Sequence, residues 1–218
     1  METIISAPTF LIFSVLFWDI ATDQVKIYVG TACTHPEFCT GRKVYEPYDI
    51  RYHEHYDPCL RKDDLAVIEL YDDIPTNEAS SVCMPAENEK LVLTLTAVGY
   101  GADPTMHSSE RKLFNWLQAV DLSLVYESIP RKIIRTRTYK RSLCYGDSGG
   151  PLIKEDLDGR HTLVGIATSI RPECNVSPDA VSARDNFFID VRSYLPWICE
   201  QTGVCPGIQQ NGTPNHIP

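Results

Sequence analysis

Several features that mark common protein classes are missing from this 218-residue chain. Basic residues do not predominate, since the formal net charge is −9 and the isoelectric point is near 5.1. That balance argues against a nucleic-acid-binding protein, which usually carries a basic face. No C-x-x-C pair occurs, and the apolar run FLIFSVLFW (10–18) is too short to span a bilayer. The sequence thus predicts no nucleic-acid partner and no stable membrane span.

Cysteine, in contrast, is plentiful, with eight residues scattered along the chain. In a chain of this length such spacing fits disulfide bonds better than a metal cluster or a redox pair. The count alone leaves 105 pairings open. Two N-x-[ST] sequons, at Asn175 and Asn211, agree with a secretory route. We therefore expect a secreted, extracellular protein.

The first 24 residues form an apolar segment whose status the sequence leaves open. The run 10–18 has the length of the hydrophobic region of a signal peptide, but Glu2 precedes it without any Lys or Arg. A buried strand is the second interpretation. A wrongly assigned first exon is the third.

Short β-like runs dominate the rest of the chain and predict an all-β protein. They are rich in β-branched residues, end at Gly, Pro, Asp or Asn, and are not separated by long amphipathic helices. Their regular spacing favours a sandwich or a pair of barrels. The predicted strands are 24–30, 64–70, 90–101, 116–125, 162–170 and 186–191, and a short helix is expected within 191–201.

The most informative stretch is LCYGDSGGPL (143–152), which presents Ser148 on a glycine-lined turn. Its G-x-S-x-G core also matches the nucleophile elbow of α/β-hydrolases. An elbow requires a helix directly after the serine, which Gly149, Gly150 and Pro151 oppose. It also requires an acid and then a histidine further along, and the histidines after Ser148 are His161 and His216, the latter in the tail. The hydrolase interpretation is therefore rejected.

The whole motif resembles that of the trypsin/chymotrypsin-like serine endopeptidases, and other landmarks follow in the same order from about residue 25 to 198. DDLAVIEL (63–70), VCMP (82–85), AVGYG (97–101), LVGIATS (163–169) and FFIDVRSYLPWI (187–198) resemble successive strands and links of that family. The resemblance implies two antiparallel β-barrels with a short C-terminal helix and an active site between the barrels. Here the first barrel is incomplete, so we expect an N-terminally truncated or divergent member.

This resemblance also implies a domain organisation. We expect a partial first barrel and inter-barrel link over 25–88 and a second barrel with the C-terminal helix over 89–205. The Pro-, Gly- and Asn-rich tail 206–218 is expected to be disordered.

Roles for individual residues follow from the same resemblance. Ser148 would be the nucleophile and Asp64 the carboxylate that orients the base. The backbone N–H groups of Gly146 and Ser148 would form the oxyanion hole. Cys144 and Cys174 match the disulfide that frames the specificity pocket.

The residues expected to bind substrate depart from those of trypsin. Ser142 stands at the pocket floor, which gives no counter-charge for a Lys or Arg side chain. Ile170 and Asn186 stand at the pocket walls, where the family commonly has glycine, and they would narrow the pocket. Thr168 stands where the family has a serine hydroxyl near the aspartate.

One element of the triad is not found. A serine needs an adjacent base, which in this family is the histidine of a T-A-A-H-C motif. That motif should lie near Trp18, where the sequence reads SVLFWDIATDQ and contains neither histidine nor cysteine. The family's I-V-G-G type of mature N-terminus is also absent.

The remaining histidines are poor substitutes for that base. His53 and His55 resemble a surface turn of the family, and we expect them to be exposed loop residues. A zinc site in the Cys- and His-rich region 33–59 is disfavoured because its spacing fits no common finger or ribbon. We thus expect no metal and no cofactor. The basic stretch RKIIRTRTYKR (131–141) is interpreted as a solvated loop or, alternatively, as a secondary site for acidic substrate residues or a cut site.

Together these features predict a trypsin/chymotrypsin-like serine endopeptidase that is inactive as written because the catalytic histidine segment is missing. The alternative is a non-catalytic homologue, a pseudoprotease that acts as a binding protein, so the sequence leaves open whether the chain is itself an enzyme. The expected partners are protein or peptide substrates and protease inhibitors.

Overall fold

The computed structural model describes residues 4–7, 10–13, 20–30, 43–60, 62–103, 117–175 and 182–206, the first two ranges as backbone only. In these ranges the chain is mainly antiparallel β-structure. Its N-terminal part contains two separate sheets, and its C-terminal part contains one closed barrel and a short helix.

The larger N-terminal sheet has four strands in the order β1-β2-β6-β5. These strands are β1 (Ile4–Ala7), β2 (Phe10–Phe13), β5 (Pro47–Tyr52) and β6 (Ala66–Leu70). A second sheet pairs β3 (Ile27–Tyr28) with β4 (Val44–Tyr45). Within the described residues these strands do not close into a barrel.

The C-terminal barrel closes through six strands in the order β10-β11-β12-β9-β8-β7. They are β7 (Thr94–Gly99), β8 (Gln118–Ser128), β9 (Ile133–Thr138), β10 (Pro151–Glu155), β11 (His161–Arg171) and β12 (Arg184–Asp190). A single 3₁₀ turn, Val191–Tyr194, then leads into α1 (Leu195–Thr202), in which Pro196 lies in the first turn, where its missing N–H costs nothing. No helix in the described part of the chain is long and apolar enough to cross a membrane.

The prediction of an all-β fold with one barrel incomplete and a short C-terminal helix is therefore confirmed. The expectation that 131–141 is a solvated loop is wrong for its centre, which forms β9. Ile134 and Thr136 are buried inside the barrel, whereas Arg135 and Arg137 point outward and pair with Asp185. The domain boundaries remain predictions, and 207–218 lies outside the described residues.

Strand β6 joins the two halves of the molecule because both of its faces are buried. Leu65, just before it, and Val67 pack with Ile166 and Ile198 of the C-terminal half. Ala66, Ile68 and Leu70 pack instead with Ile27 and Tyr45 of the N-terminal sheets. This alternation explains why the sequence from Leu65 to Leu70 is apolar except for Glu69. It also fixes the residues that precede β6 against the C-terminal barrel.

Candidate active site

The turn that carries Ser148 is held against the barrel by backbone hydrogen bonds. Gly149 N–H donates to the carbonyl of Ala167 at 2.9 Å, and Ala167 N–H donates to the carbonyl of Gly150 at 2.9 Å. Gly146 and Gly149 have φ angles of +98° and +87°, a region that side-chain-bearing residues rarely adopt. The glycines of the motif are thus required by the backbone, and they place a half-buried Ser148 at the rim of a cleft.

The backbone N–H groups of Gly146 and Ser148 donate no hydrogen bond to any group in the described part of the chain. Both residues line the cleft. Two uncommitted donors beside a serine hydroxyl are what an oxyanion hole requires. Their role, predicted from the sequence, remains a prediction.

Asp147 lies beneath this turn with only 8% of its surface exposed. Its two carboxylate oxygens accept hydrogen bonds from Gly101 N–H at 2.8 Å and from Cys144 N–H at 2.7 Å. Burial raises the pKa of this carboxyl, and the two backbone donors offset part of the rise. No Lys or Arg side chain of the described ranges forms an ion pair with it. The carboxylate therefore fixes the turn through backbone donors.

Asp64 and Thr168 bring the two halves of the molecule together at the cleft. Asp64 is 3% exposed and directly precedes Leu65 and β6. Thr168 lies at an irregularity of the pairing between β11 and β12, and its hydroxyl donates to the Asp64 carboxylate at 2.9 Å. A bulge of this kind re-aims a side chain out of the regular alternation. The structure thus places the candidate carboxylate and the candidate hydroxyl in direct contact.

A second buried carboxylate, Asp63, lies beside Asp64 and was not singled out from the sequence. Its Oδ1 accepts hydrogen bonds from Lys132 Nζ at 2.9 Å and from the Tyr194 hydroxyl at 2.8 Å. Burial alone would raise the pKa of Asp63, but these two hydrogen bonds hold it below its usual value. The only signal for this network in the sequence is the doubled aspartate before the apolar run.

We predict that Lys132→Met lowers the free energy of unfolding by about 3 kcal/mol, because it removes the nearer of two ammonium groups from the buried Asp63 carboxylate and leaves only Lys62, 3.8 Å away. This is the lower end of the range for such pairs, since the Lys132 side chain is 36% exposed. Urea unfolding at pH 7 measures the effect. Lys140→Met, an exposed residue of the same basic stretch, is the matched control and should change stability by less than about 0.5 kcal/mol. Equal effects of the two substitutions would contradict the assignment.

His53 is buried, at 7% exposure, so the expectation that it is an exposed loop residue is wrong. Its ring packs against Tyr194 and Trp197 at centroid distances of 5.4 and 5.1 Å. Its Nδ1 faces the backbone N–H of His55 at 3.3 Å. His55 itself is exposed, as expected. Burial lowers the pKa of His53, although the carboxylates of Glu54 and Asp63 act in the opposite direction.

This burial predicts a specific pH dependence. The unfolded chain binds a proton at His53 near pH 6.5, whereas the folded chain binds it only at lower pH, so stability should rise with pH up to about 6.5. Replacing His53 with Phe should reduce the difference in unfolding free energy between pH 5 and pH 7. The exposed His161 provides the matched control as His161→Phe, and the reduction in His53→Phe should exceed that in His161→Phe. If the difference in unfolding free energy between pH 5 and pH 7 is the same in the unsubstituted chain, His53→Phe and His161→Phe, the burial of His53 is not the cause of the pH dependence.

None of the described histidines lines the cleft that Ser148 borders. His53 packs against Tyr194 and Trp197, while His55 and His161 lie 3.8 and 3.9 Å from Glu54 and Glu155. His35, His107 and His216 lie outside the described residues.

A metal site is also poorly supported, although ligand atoms of His53, Glu54 and His55 lie within 4.8 Å of one another. The Glu54 carboxylate already accepts a hydrogen bond from Trp197 Nε1 at 2.9 Å, and His53 Nδ1 already faces a backbone donor. We assign no ion to this group.

The cleft next to Ser148 has a volume of about 1410 Å³, and Thr168 and Ile170 line it as expected. Ser142 and Asn186 do not border it. The Ser142 hydroxyl donates to the carbonyl of Leu143, and the fully buried Asn186 accepts from Leu143 N–H at 3.2 Å. Both side chains thus bond Leu143, and Ser142 lines a separate cavity, so the predicted floor and this predicted wall are not part of the cleft surface.

Cys144 and Cys174 form a disulfide with a Cα–Cα distance of 5.3 Å, as the resemblance implied. This bridge ties the serine turn to the segment after β11. A second bridge, Cys199–Cys205, closes the end of α1.

Comparisons with known proteins agree with this geometry. The model of the Trypsin family matches residues 20–198. The chain is 27% identical over 177 residues to serine protease filzig of Drosophila melanogaster, covering 70% of this chain but only 10% of that protein. It is 25% identical to the venom peptide isomerase heavy chain of Agelenopsis aperta, covering 82% of this chain and 77% of that protein. It is 30% identical to the phenoloxidase-activating enzyme of Bombyx mori, covering 78% of this chain and 41% of that protein. Since the family model spans most of the sequence, from the residues before β3 through α1, the chain belongs to the trypsin family of serine proteases.

Proposed function

We propose that this protein has the catalytic site of a serine endopeptidase, with Ser148 as the nucleophile and Asp64 as the carboxylate that orients the base. The observation that carries the proposal is the hydrogen bond of 2.9 Å between Thr168 and the buried Asp64, at the cleft that Ser148 lines. A carboxylate buried there, between the two halves of the molecule, can orient an imidazole and stabilise its charged form.

Among the described residues, no histidine borders the cleft to serve as the general base that this mechanism requires. In a complete triad, the imidazole accepts the serine proton during attack and returns it to the leaving amine. The family's histidine motif is absent near Trp18, and the described histidines are engaged elsewhere. We therefore infer that the chain binds polypeptides in the cleft and hydrolyses them only at a residual rate.

The second candidate function is a binding protein without catalysis. The observation that favours it is the breadth of the open cleft, which accepts an extended polypeptide independently of any base. The intact Ser148, Asp64 and Asp147 favour the endopeptidase. Disulfides and the family of the chain support an extracellular location for either role.

Mapping the 5′ end of the transcript separates the two functions. The endopeptidase proposal expects an upstream coding segment that carries the histidine motif and the missing strands. A transcript whose mapped start leaves no room for that segment would overturn it in favour of the binding role.

A further inference from the structure

The cleft beside Ser148 has a charge opposite to that of the protein as a whole. Four basic and two acidic side chains line it, whereas the complete chain carries a formal net charge of −9. The basic residues are Lys62, Arg131, Lys132 and Arg171, and the acidic residues are Asp63 and Glu173. A cleft with one sign of charge concentrates ligands of the other sign.

Three of these cations remain available to a ligand. Lys132 is committed to Asp63, but Arg131 is exposed and forms no ion pair within the described ranges. Arg171 lies over the Phe187 ring, with its Cζ atom 5.7 Å from the ring centre, and likewise has no carboxylate partner there. Lys62 is 67% exposed and forms a long ion pair of 3.8 Å with Asp63. Asp63 keeps its hydrogen bonds from Lys132 and Tyr194 when Lys62 turns to a ligand.

On β9, which begins directly after Lys132, the positive charge is neutralised. Arg135 and Arg137, which face outward from that strand, both pair with Asp185. Arg131 and Arg171 at the cleft have no such carboxylate partner among the described residues.

Apolar groups accompany these cations. Leu60 and Tyr145 line the cleft and are 74% and 62% exposed, large areas for side chains of this kind. A polypeptide segment that combines acidic and apolar side chains would match both features.

We propose that the cleft selects acidic polypeptide segments, in which Asp or Glu side chains pair with Lys62, Arg131 and Arg171. This inference rests on the proposed binding of polypeptides and names their class. The acidic residues of the cleft offer little to a competing basic segment, since Asp63 already accepts hydrogen bonds from Lys132 and Tyr194. Selectivity then resides at the rim of the cleft.

The test measures the binding of fluorescent peptides by anisotropy to the Ser148→Ala chain, in which turnover cannot deplete the ligand. Three peptides share one apolar frame and carry Glu, Gln or Lys at three positions. We expect the Glu peptide to bind about tenfold more tightly than the Gln peptide in 50 mM salt, and the Lys peptide more weakly still. In 300 mM salt this preference should shrink, because exposed charges are screened.

Variants of the cleft arginines test whether the preference for the Glu peptide over the Gln peptide arises in the cleft. Arg131→Gln and Arg171→Gln should each reduce the Glu/Gln ratio about threefold. Arg141→Gln is the matched control, since Arg141 is an exposed basic residue that borders a different cavity. It should leave the ratio unchanged.

The outcomes of the binding test distinguish a wrong ligand preference from a wrong proposed function. Equal binding of the Glu and Gln peptides would overturn the acidic preference while leaving polypeptide binding intact. No binding of any peptide would overturn the proposed function as well. A sulfated polysaccharide that binds through Arg131 and Arg171, where no peptide does, would assign the charge to a different ligand class and overturn this proposal.

Discussion

The purified 218-residue chain is expected to hydrolyse peptides about a millionfold more slowly than a protease with a complete serine, histidine and aspartate triad. A serine hydroxyl is a weak nucleophile at neutral pH and needs a base to take its proton. The cleft retains Ser148 and the two uncommitted N–H groups, and the buried Asp64 is bonded to Thr168 in its wall. An oxyanion hole alone leaves a residual acceleration of about 10³ to 10⁴ over water.

Hydrolysis of a fluorogenic peptide measures this rate, with bovine trypsin assayed beside it as the complete triad. The Ser148→Ala chain sets the background of the preparation. Hydrolysis within a hundredfold of the trypsin rate that disappears in Ser148→Ala would show that a base is supplied by the chain after all.

The second large effect concerns Gly101, against which the serine turn is packed. We expect Gly101→Ala to lower the free energy of unfolding by about 4 kcal/mol. A Cβ atom at this position would lie 2.3 to 2.5 Å from the carboxyl atoms of Asp147. The carboxylate would have to move, and the buried N–H groups of Gly101 and Cys144 would lose their acceptor.

Thermal and urea unfolding measure this loss, and Gly159→Ala is the matched control. Gly159 also has a positive φ angle, +76°, but nothing lies within 4 Å of its added Cβ. Its substitution should cost only the backbone strain, about 1 to 2 kcal/mol. Because the Asp147 carboxylate also shapes the loop with the oxyanion donors, Gly101→Ala should weaken peptide binding, whereas Gly159→Ala should not. Similar losses of stability in the two variants would show that the contact with Asp147 is not the cause.

The sequence predicts strands best where both faces are buried or where β-branched residues are dense. β6 and β11 were found because apolar residues run through them almost without interruption, and β12 was found from its apolar run Phe187, Phe188 and Ile189. β5 and β9 were missed because only alternate residues contribute to the core. In β9 the outward positions are arginines, and the sequence does not reveal that Asp185, about fifty residues away, lies opposite them.

The candidate site shows a similar division. Ser148, Asp64 and Thr168 could be named from motifs, and in the structure the Thr168 hydroxyl donates a hydrogen bond to Asp64. The burial of His53 could not be predicted, because it depends on Tyr194 and Trp197 from the other end of the chain. Likewise, the partner of Asn186 is a backbone N–H, which no residue pattern specifies.

Labelling with a fluorophosphonate probe tests most directly the claim that Ser148 is presented without a base. Such probes react with activated serines, so the account predicts that the 218-residue chain is labelled no faster than its Ser148→Ala variant. Labelling of Ser148 at a rate comparable to that of trypsin, abolished in Ser148→Ala, would contradict the account.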